Sequence, residues 1–246
     1  MSVILAIETA SSSCSVALRV DGEIQERSEV GNNVHSGVLL DMVDELLKLA
    51  NLSPQDLDAV AVGQGPGSFT GLRIGVGVGQ GLAFGAQCPM IGVSSLDALA
   101  MQSGQEGSVI AMLDARMGEV YWCEYRKENS NVERAIDSQV SPPSSVVSDA
   151  DKLTVVGNAW EVYPGEFSLL AQKGELTVLE LTCPSAGALL SLAELKYGQK
   201  DWVDAAAFAP IYVRNDVAKK SSKKLPGRRE LADVKGATRR LANHLE

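Results

Sequence analysis

The stretch from Gly63 to Gly85, GQGPGSFTGLRIGVGVGQGLAFG, holds nine glycines and constrains the chain more than any other segment. Inside a helix each glycine costs about 1 kcal/mol against alanine. Such a run therefore needs a use. One use is phosphate: a glycine-rich turn opening a helix points free N–H groups at an anion. The other is close packing, because bare positions along a helix let a second backbone approach.

The phosphate motifs do not fit. A Walker A loop needs a Lys before its Ser/Thr, and no Lys occurs between Asn51 and Met101. A dinucleotide fingerprint needs a third glycine, where this chain has Ser68, Thr70, Gln80, Leu82 or Phe84. What remains is GPGS at a helix start. The packing pattern is regular. Gly67, Gly71, Gly75 and Gly79 recur every four residues and lie in one row along a helix. Gly77, Gly81 and Gly85 make a second row on roughly the opposite side. One row is expected on the chain's own sheet and the other against a helix, of this chain or of another.

The helix expected over 34–50 is the natural neighbour. Its apolar residues cover an arc of about 200°, wider than one sheet face needs. That width predicts two neighbours. The candidate association surface is His35, Leu39, Met42, Val43 and Leu46 from this helix. To these the glycine helix adds Gly67, Ser68, Thr70, Gly71, Arg73, Ile74, Gly75 and Val78. A lesser anion site is formed by Glu8, Thr9, Ser11, Ser12, Gly65, Gly67 and Ser68. Arg73 and Arg116 stand among apolar neighbours; each could clamp a carboxylate or phosphate, with pairing to a nearby acid the default.

The rest of the chain reads as alternating strands and helices. ILAIET is a buried strand, followed by a strand, an Asp21-Gly22 turn and a third strand. That is not a Rossmann opening, which goes from strand directly to helix. Ser53-Pro54-Gln55-Asp56 forms a capping box on a short helix. Ser94 and Asp97 have the same spacing at the start of another. VIAMLDAR and GEVYWCEYR form a hairpin around Met117-Gly118, so strand, turn, strand recurs and hints at two related lobes. VSPPSSV is a loop. A strand then a helix follow in LTVVGNAWEVY, another helix in PSAGALLSLAELKYG, and an extended piece in APIYVRN.

Composition excludes several classes. With 246 residues and 45% hydrophobic content, the chain can bury one large core or two lobes. No run is long enough to span a bilayer and no leader precedes the first strand, which predicts a cytoplasmic protein without a membrane partner. Four scattered cysteines, none in CxxC spacing, predict reduced thiols. With His35 and His244 the only histidines, a metal site is not expected, and no G-x-S-x-G elbow supports a Ser-His-Asp triad. Residues 219–246 carry nine basic and three acidic side chains, +6, which leaves −15 on the body from a total of −9. Such a body repels phosphate backbones; the basic tail is expected to be solvated and partly disordered.

Three segments, ILAIETASSSCSVAL, DAVAVGQGPGSFTGLRIGVGVGQGLA and VIAMLDARMGEVYW, resemble the TsaB (YeaZ) family. The resemblance runs from Val3 to about Arg214, and GPGSFTGLR is its most specific part. It implies an α/β fold of the actin-like type (sugar kinase, heat-shock ATPase), with two lobes, each a mixed sheet with helices. Residues 1–105 would form the first lobe with its partner-binding face, 106–218 the second, and 219–246 the tail. It also implies a non-catalytic subunit in making threonylcarbamoyladenosine beside the anticodon of tRNA. The partners implied are a homologous catalytic subunit, TsaD, and an ATPase, TsaE, with a homodimer when alone. No cofactor of its own is implied; ATP and a metal belong to the complex.

Against the catalytic relative, Glu8 and Thr9 match its first turn, but Ser12 and Ser13 replace two acids. Ser95 and Leu99 stand where its two metal-binding histidines would be, and neither suits Zn or Fe. Two other classes compete. A small ATP-dependent kinase on the same fold would use Glu8, Thr9, Ser11–Ser13 and Gly65–Ser68. A glycoprotease-like metallopeptidase is undermined by Ser95 and Leu99.

Overall fold

Alternation along one strand sets up the first sheet. The structure, a computed structural model, describes residues 2–31, 34–129, 131–172 and 174–213. Strand β1 (Ile4–Glu8) sends Leu5 and Ile7 to one face and Ile4 and Ala6 to the other, all fully buried. Strand β2 (Ser13–Val20) returns antiparallel to it, and β3 (Glu23–Val30) antiparallel to β2. Asp21 and Gly22 between them both have positive φ, 52° and 93°. Paired positive φ values give the primed turn whose twist suits a two-residue hairpin. On the outer strand β3, exposed Glu23, Glu26 and Glu29 discourage pairing with another sheet edge.

Helix α1 (His35–Leu49) crosses to β4 (Ala59–Gly63), parallel to β1, and α2 (Phe69–Ala86) crosses to β5 (Met90–Val93), parallel to β4. The strand order is β3-β2-β1-β4-β5. Both helices cover one face. Leu39, Met42, Val43 and Leu46 of α1, with Val76 and Ala83 of α2, pack on Leu5, Ile7, Val16, Leu18, Val60 and Val62.

Helix α3 (Ser95–Gln102) leads into the second sheet. Here β6 (Gly107–Arg116) and β7 (Glu119–Glu128) form the expected hairpin, with Met117 and Gly118 at φ 59° and 78°. Strands β8 (Asn131–Arg134) and β9 (Gln139–Ser141) both pair with β7. Strand β10 (Lys152–Val156) lies parallel to β6. Short helices α4 (Ala159–Val162) and α5 (Ser168–Ala171) precede β11 (Glu175–Val178), which is parallel to β10. The order is β11-β10-β6-β7-β8. Taken from β8, this repeats the first sheet: an antiparallel trio, then two parallel strands beyond its first member. The recurring hairpin is thus one end of a repeated unit.

Helix α6 (Ala186–Gly198) follows the second sheet in the chain. It packs Leu189, Leu190 and Ala193 not on the second sheet but on the free face of the first. Ala6, Ala17, Ala59 and Ala61 there keep the strand surface low. Conversely α3, which follows the first sheet, packs Leu96, Leu99 and Ala100 against Val109, Ala111, Leu113, Tyr125 and Val156 of the second. Each sheet thus carries a helix that follows the other in the chain, with Ala98 of α3 also in the first-sheet cluster. The strands β8, β9 and β11 lie where the sequence reading placed loops or no element. The basic tail, 219–246, and residues 214–218 of the expected second lobe lie outside the described residues. All four cysteines are free.

A two-faced helix and an interlobe cleft

Helix α2 begins where the glycine run meets the turn after β1. Ser68 caps it, its hydroxyl accepting the Gly71 N–H at 3.3 Å, while its own N–H donates to the Ala10 carbonyl at 2.7 Å. The row Gly67, Gly71, Gly75 and Gly79 faces the chain's own first lobe. A Cβ on Gly67 would stand 2.3 Å from the Ala10 carbonyl oxygen, on Gly71 2.1 Å from that of Thr9, and on Gly75 2.3 Å from Thr9 Oγ1. On Gly79 it would stand 2.6 Å from Val62. Among the described residues, the row Gly77, Gly81 and Gly85 is open, with nothing within 4 Å of a Cβ at any of the three.

The candidate association surface therefore divides. Leu39, Met42, Val43 and Leu46, together with His35, Gly71 and Gly75, are buried in the chain's own core, and Gly67 packs on Ala10. These residues face inward: the apolar arc of α1 has two neighbours within the chain, the sheet and α2, and its exposed large apolar residues are Leu40 and Leu49. Ser68, Thr70 and Arg73 are exposed, and Ile74 and Val78 lie half-buried against the core that α1 and α2 share. The outward face of α2 thus runs from Thr70 and Arg73 through Gly77 and Gly81 to Phe84, the last 80% exposed.

Among the described residues, no acid pairs with Arg73. Its guanidinium carbon lies 3.6 Å from the centroid of the Phe69 ring, and its Nε donates to the Tyr212 hydroxyl at 3.2 Å. Aromatic and arginine side chains together on a surface are the composition of an interface anchor.

A polar cleft of about 240 Å³ opens beside the starts of α1 and α2. Ser11, Ser12, Ser68 and Thr70 line it from the first lobe, and Asp114, Arg116 and Asn158 from the second. His35 fixes one wall, its Nε2 lying 3.1 Å from the Ser11 carbonyl. Arg116 pairs with Asp114 at 3.1 Å, the default expected for it, and Asp114 also accepts the Tyr163 hydroxyl at 2.8 Å. Of the lesser anion site, Ser11, Ser12 and Ser68 reach this cleft. Glu8 and Thr9 do not: both are fully buried, and Thr9 donates to the Gly71 carbonyl at 2.9 Å. Gly65 and Gly67 face Leu72 and Ala10 instead. The sequence reading missed Asp114 and Asn158, which follow the buried runs VIAML and TVVG; a polar residue ending a buried strand was the available signal.

Glu8 ends β1 inside the protein. Its Oε1 accepts the Ala10 N–H at 2.7 Å and its Oε2 the Ser95 hydroxyl at 2.8 Å. Burial pushes its carboxyl up to about 7; donors from Ala10, Ser95 and Thr9 pull the other way. Leu99, the other position set against a metal histidine, is fully buried in the second-lobe cluster. Among the described residues, no group of three His, Cys, Asp or Glu could hold a metal ion, and no helix is long and apolar enough to cross a membrane.

Comparison with known proteins matches this architecture. Residues 28–225 fit the family model of TsaD, tRNA N6-adenosine threonylcarbamoyltransferase. The tRNA threonylcarbamoyladenosine biosynthesis protein TsaB of Escherichia coli is 37% identical over 92% of this chain and 99% of its own. That of Haemophilus influenzae is 38% identical over 92% and 98%. The solved structure of YeaZ from Pseudomonas aeruginosa is 36% identical, covers 86% of this chain and all of its own, and superposes with a TM-score of 0.79. The two mixed sheets with their helices form the actin-like two-lobe α/β fold. Aligned nearly end to end with these proteins and folded as they are, the chain belongs to the TsaB (YeaZ) family of tRNA threonylcarbamoyladenosine biosynthesis proteins.

Proposed function

We propose that this chain is the non-catalytic, scaffolding subunit of a cytoplasmic complex that threonylcarbamoylates tRNA beside the anticodon. Its partner in that reading is a homologous TsaD-type catalytic subunit, with a TsaE-type ATPase assisting and tRNA reached through the complex. The chain would form a homodimer when alone, and ATP and a metal would be held by the complex rather than by this subunit.

One observation carries the reading. Where the catalytic relative has metal-binding histidines, this chain has Ser95, fully buried with its hydroxyl given to Glu8, and Leu99, sealed in the core. A lone hydroxyl is a poor Zn or Fe ligand and a leucine is none. The outward face of α2 supports the second half. Its open glycines accept close approach, and Phe69, Arg73 and Tyr212 flank it with anchor side chains.

Reconstitution tests the proposal. Threonylcarbamoyl transfer to tRNA is measured with this chain alone, with the catalytic subunit and ATPase alone, and with all three. Product only when this chain joins the others is expected. Transfer by this chain alone would make it an enzyme and overturn the proposal.

A further inference from the structure

Helix α2 carries one charged side chain in its 18 residues, Arg73, and it stands exposed on the outward face. Two rings hold it. Its guanidinium carbon stacks 3.6 Å from the Phe69 centroid, and its Nε donates to the Tyr212 hydroxyl at 3.2 Å. The Phe69 and Tyr212 ring centroids are themselves 5.8 Å apart.

Tyr212 ends a strap, residues 203–212, that is tied along α2 and the end of β4. The Gln80 side-chain amide donates to the Ala205 and Phe208 carbonyls at 2.8 and 3.1 Å. That of Gln64 donates to the Ala209 carbonyl at 3.0 Å, and the Ile211 N–H donates to the Gln64 carbonyl at 2.9 Å. Phe208 is buried in the first-lobe core. Arg73 is thus fixed by a distant part of the chain while remaining open to solvent.

One face of the guanidinium lies on Phe69 and its Nε is used by Tyr212, so the two terminal nitrogens are left. Among the described residues they make no hydrogen bond. Two parallel N–H groups at the end of a guanidinium match the two oxygens of a carboxylate. Held in advance, they lose little freedom when one arrives.

Burial of the face decides what must arrive. A partner that covers the open glycines covers Arg73 as well, and a charge taken from water needs a counter-charge. A second copy of this chain is poorly equipped to supply it. Its α2 would bring another Arg73 and no acid. On α1, Asp44 and Glu45 are already paired with Lys48 and Arg27, which leaves Asp41. A different helix, with an acid placed opposite Arg73, fits the face better.

We propose that Arg73 is the specificity contact of this face: it receives an Asp or Glu side chain of the TsaD-type subunit, end-on, and so favours that subunit over a second copy. The inference rests on the assignment of the outward face of α2 to such a partner.

Two bindings of the full chain test it: to the purified TsaD-type subunit, by calorimetry, and to itself, by sedimentation. Arg73→Gln should weaken the first by about 30-fold or more, with the thermal midpoint of the isolated chain close to that of the parent. Added salt should weaken the parent complex more steeply than that of the variant. Arg73→Lys, which keeps the charge without the fork, should fall between the two. Gly77→Leu with Gly81→Leu is the control, since it blocks the face and leaves Arg73 in place. If the control loses binding while Arg73→Gln keeps it, the face stands and the Arg73 contact is overturned. If neither loses binding, the face does not belong to this partner and both readings fall. A loss of self-association on Arg73→Gln as large as the loss of the TsaD-type complex would give the contact to a second copy and overturn the proposal.

Discussion

The two sides of α2 are built from the same residue for opposite ends. Inward, glycine is required because there is no space: the first-lobe turn presses its backbone and the Thr9 hydroxyl against the helix. Outward, nothing among the described residues requires glycine, since a Cβ at Gly77, Gly81 or Gly85 would meet none of them within 4 Å. A helix gains about 1 kcal/mol whenever an exposed glycine becomes alanine. Under the proposed function, these three positions in one row serve the close approach of a partner.

Substitutions can break that contrast, beginning with the strongest. Gly71→Leu should lose about 4 kcal/mol or more of stability, or fail to fold, because its first side-chain atom would collide with the Thr9 carbonyl, which cannot swing away. A variant with an unchanged urea midpoint would show that the inward face is misplaced. Leu39→Ala, on the buried side of α1, should cost about 3 kcal/mol in the same measurement. Gly77→Ala and Gly81→Ala should each raise stability by roughly 0.5–1 kcal/mol, seen as a higher thermal midpoint of the isolated chain; a loss would mean that the outward row is already packed. Leu40→Ala, one residue along from Leu39 but facing out, should stay within about 0.5 kcal/mol of the parent chain.

Local signals carried much of the fold. Asp21-Gly22 and Met117-Gly118 marked two hairpins, and the Asp56 carboxylate does return to the Ser53 N–H at 2.7 Å. The second capping pair is only half made. Ser94 takes the Asp97 N–H at 3.4 Å, but the Asp97 carboxylate goes to Tyr125 and Arg134 instead. Those partners lie on strands formed later in the chain, out of reach of a spacing rule. Rotation of the helices was illegible for a similar reason. A four-residue period fixes that two glycine rows exist, but only the neighbouring turn decides which row is inside. The width of the apolar arc of α1 predicts two neighbours, and the sheet and α2 supply them; that Leu40 and Leu49 are left to solvent is set by the fold. The cleft combines Ser11 and Ser68 with Asp114 and Asn158, residues joined only by the meeting of two repeated sheets. At Ser95 the sequence shows only a missing metal ligand; its bond to Glu8 arises from the fold.

The outward face of α2 is the centre of the account, and one pair of substitutions addresses it directly. Gly77→Leu with Gly81→Leu fills the open row without touching the chain's own core. Association of this variant with the purified TsaD-type subunit should weaken by about tenfold or more, close to 1.4 kcal/mol, while its own unfolding midpoint is unchanged or raised. Binding equal to that of the unaltered chain, by a variant that is fully folded, would contradict the assignment of this face to a partner.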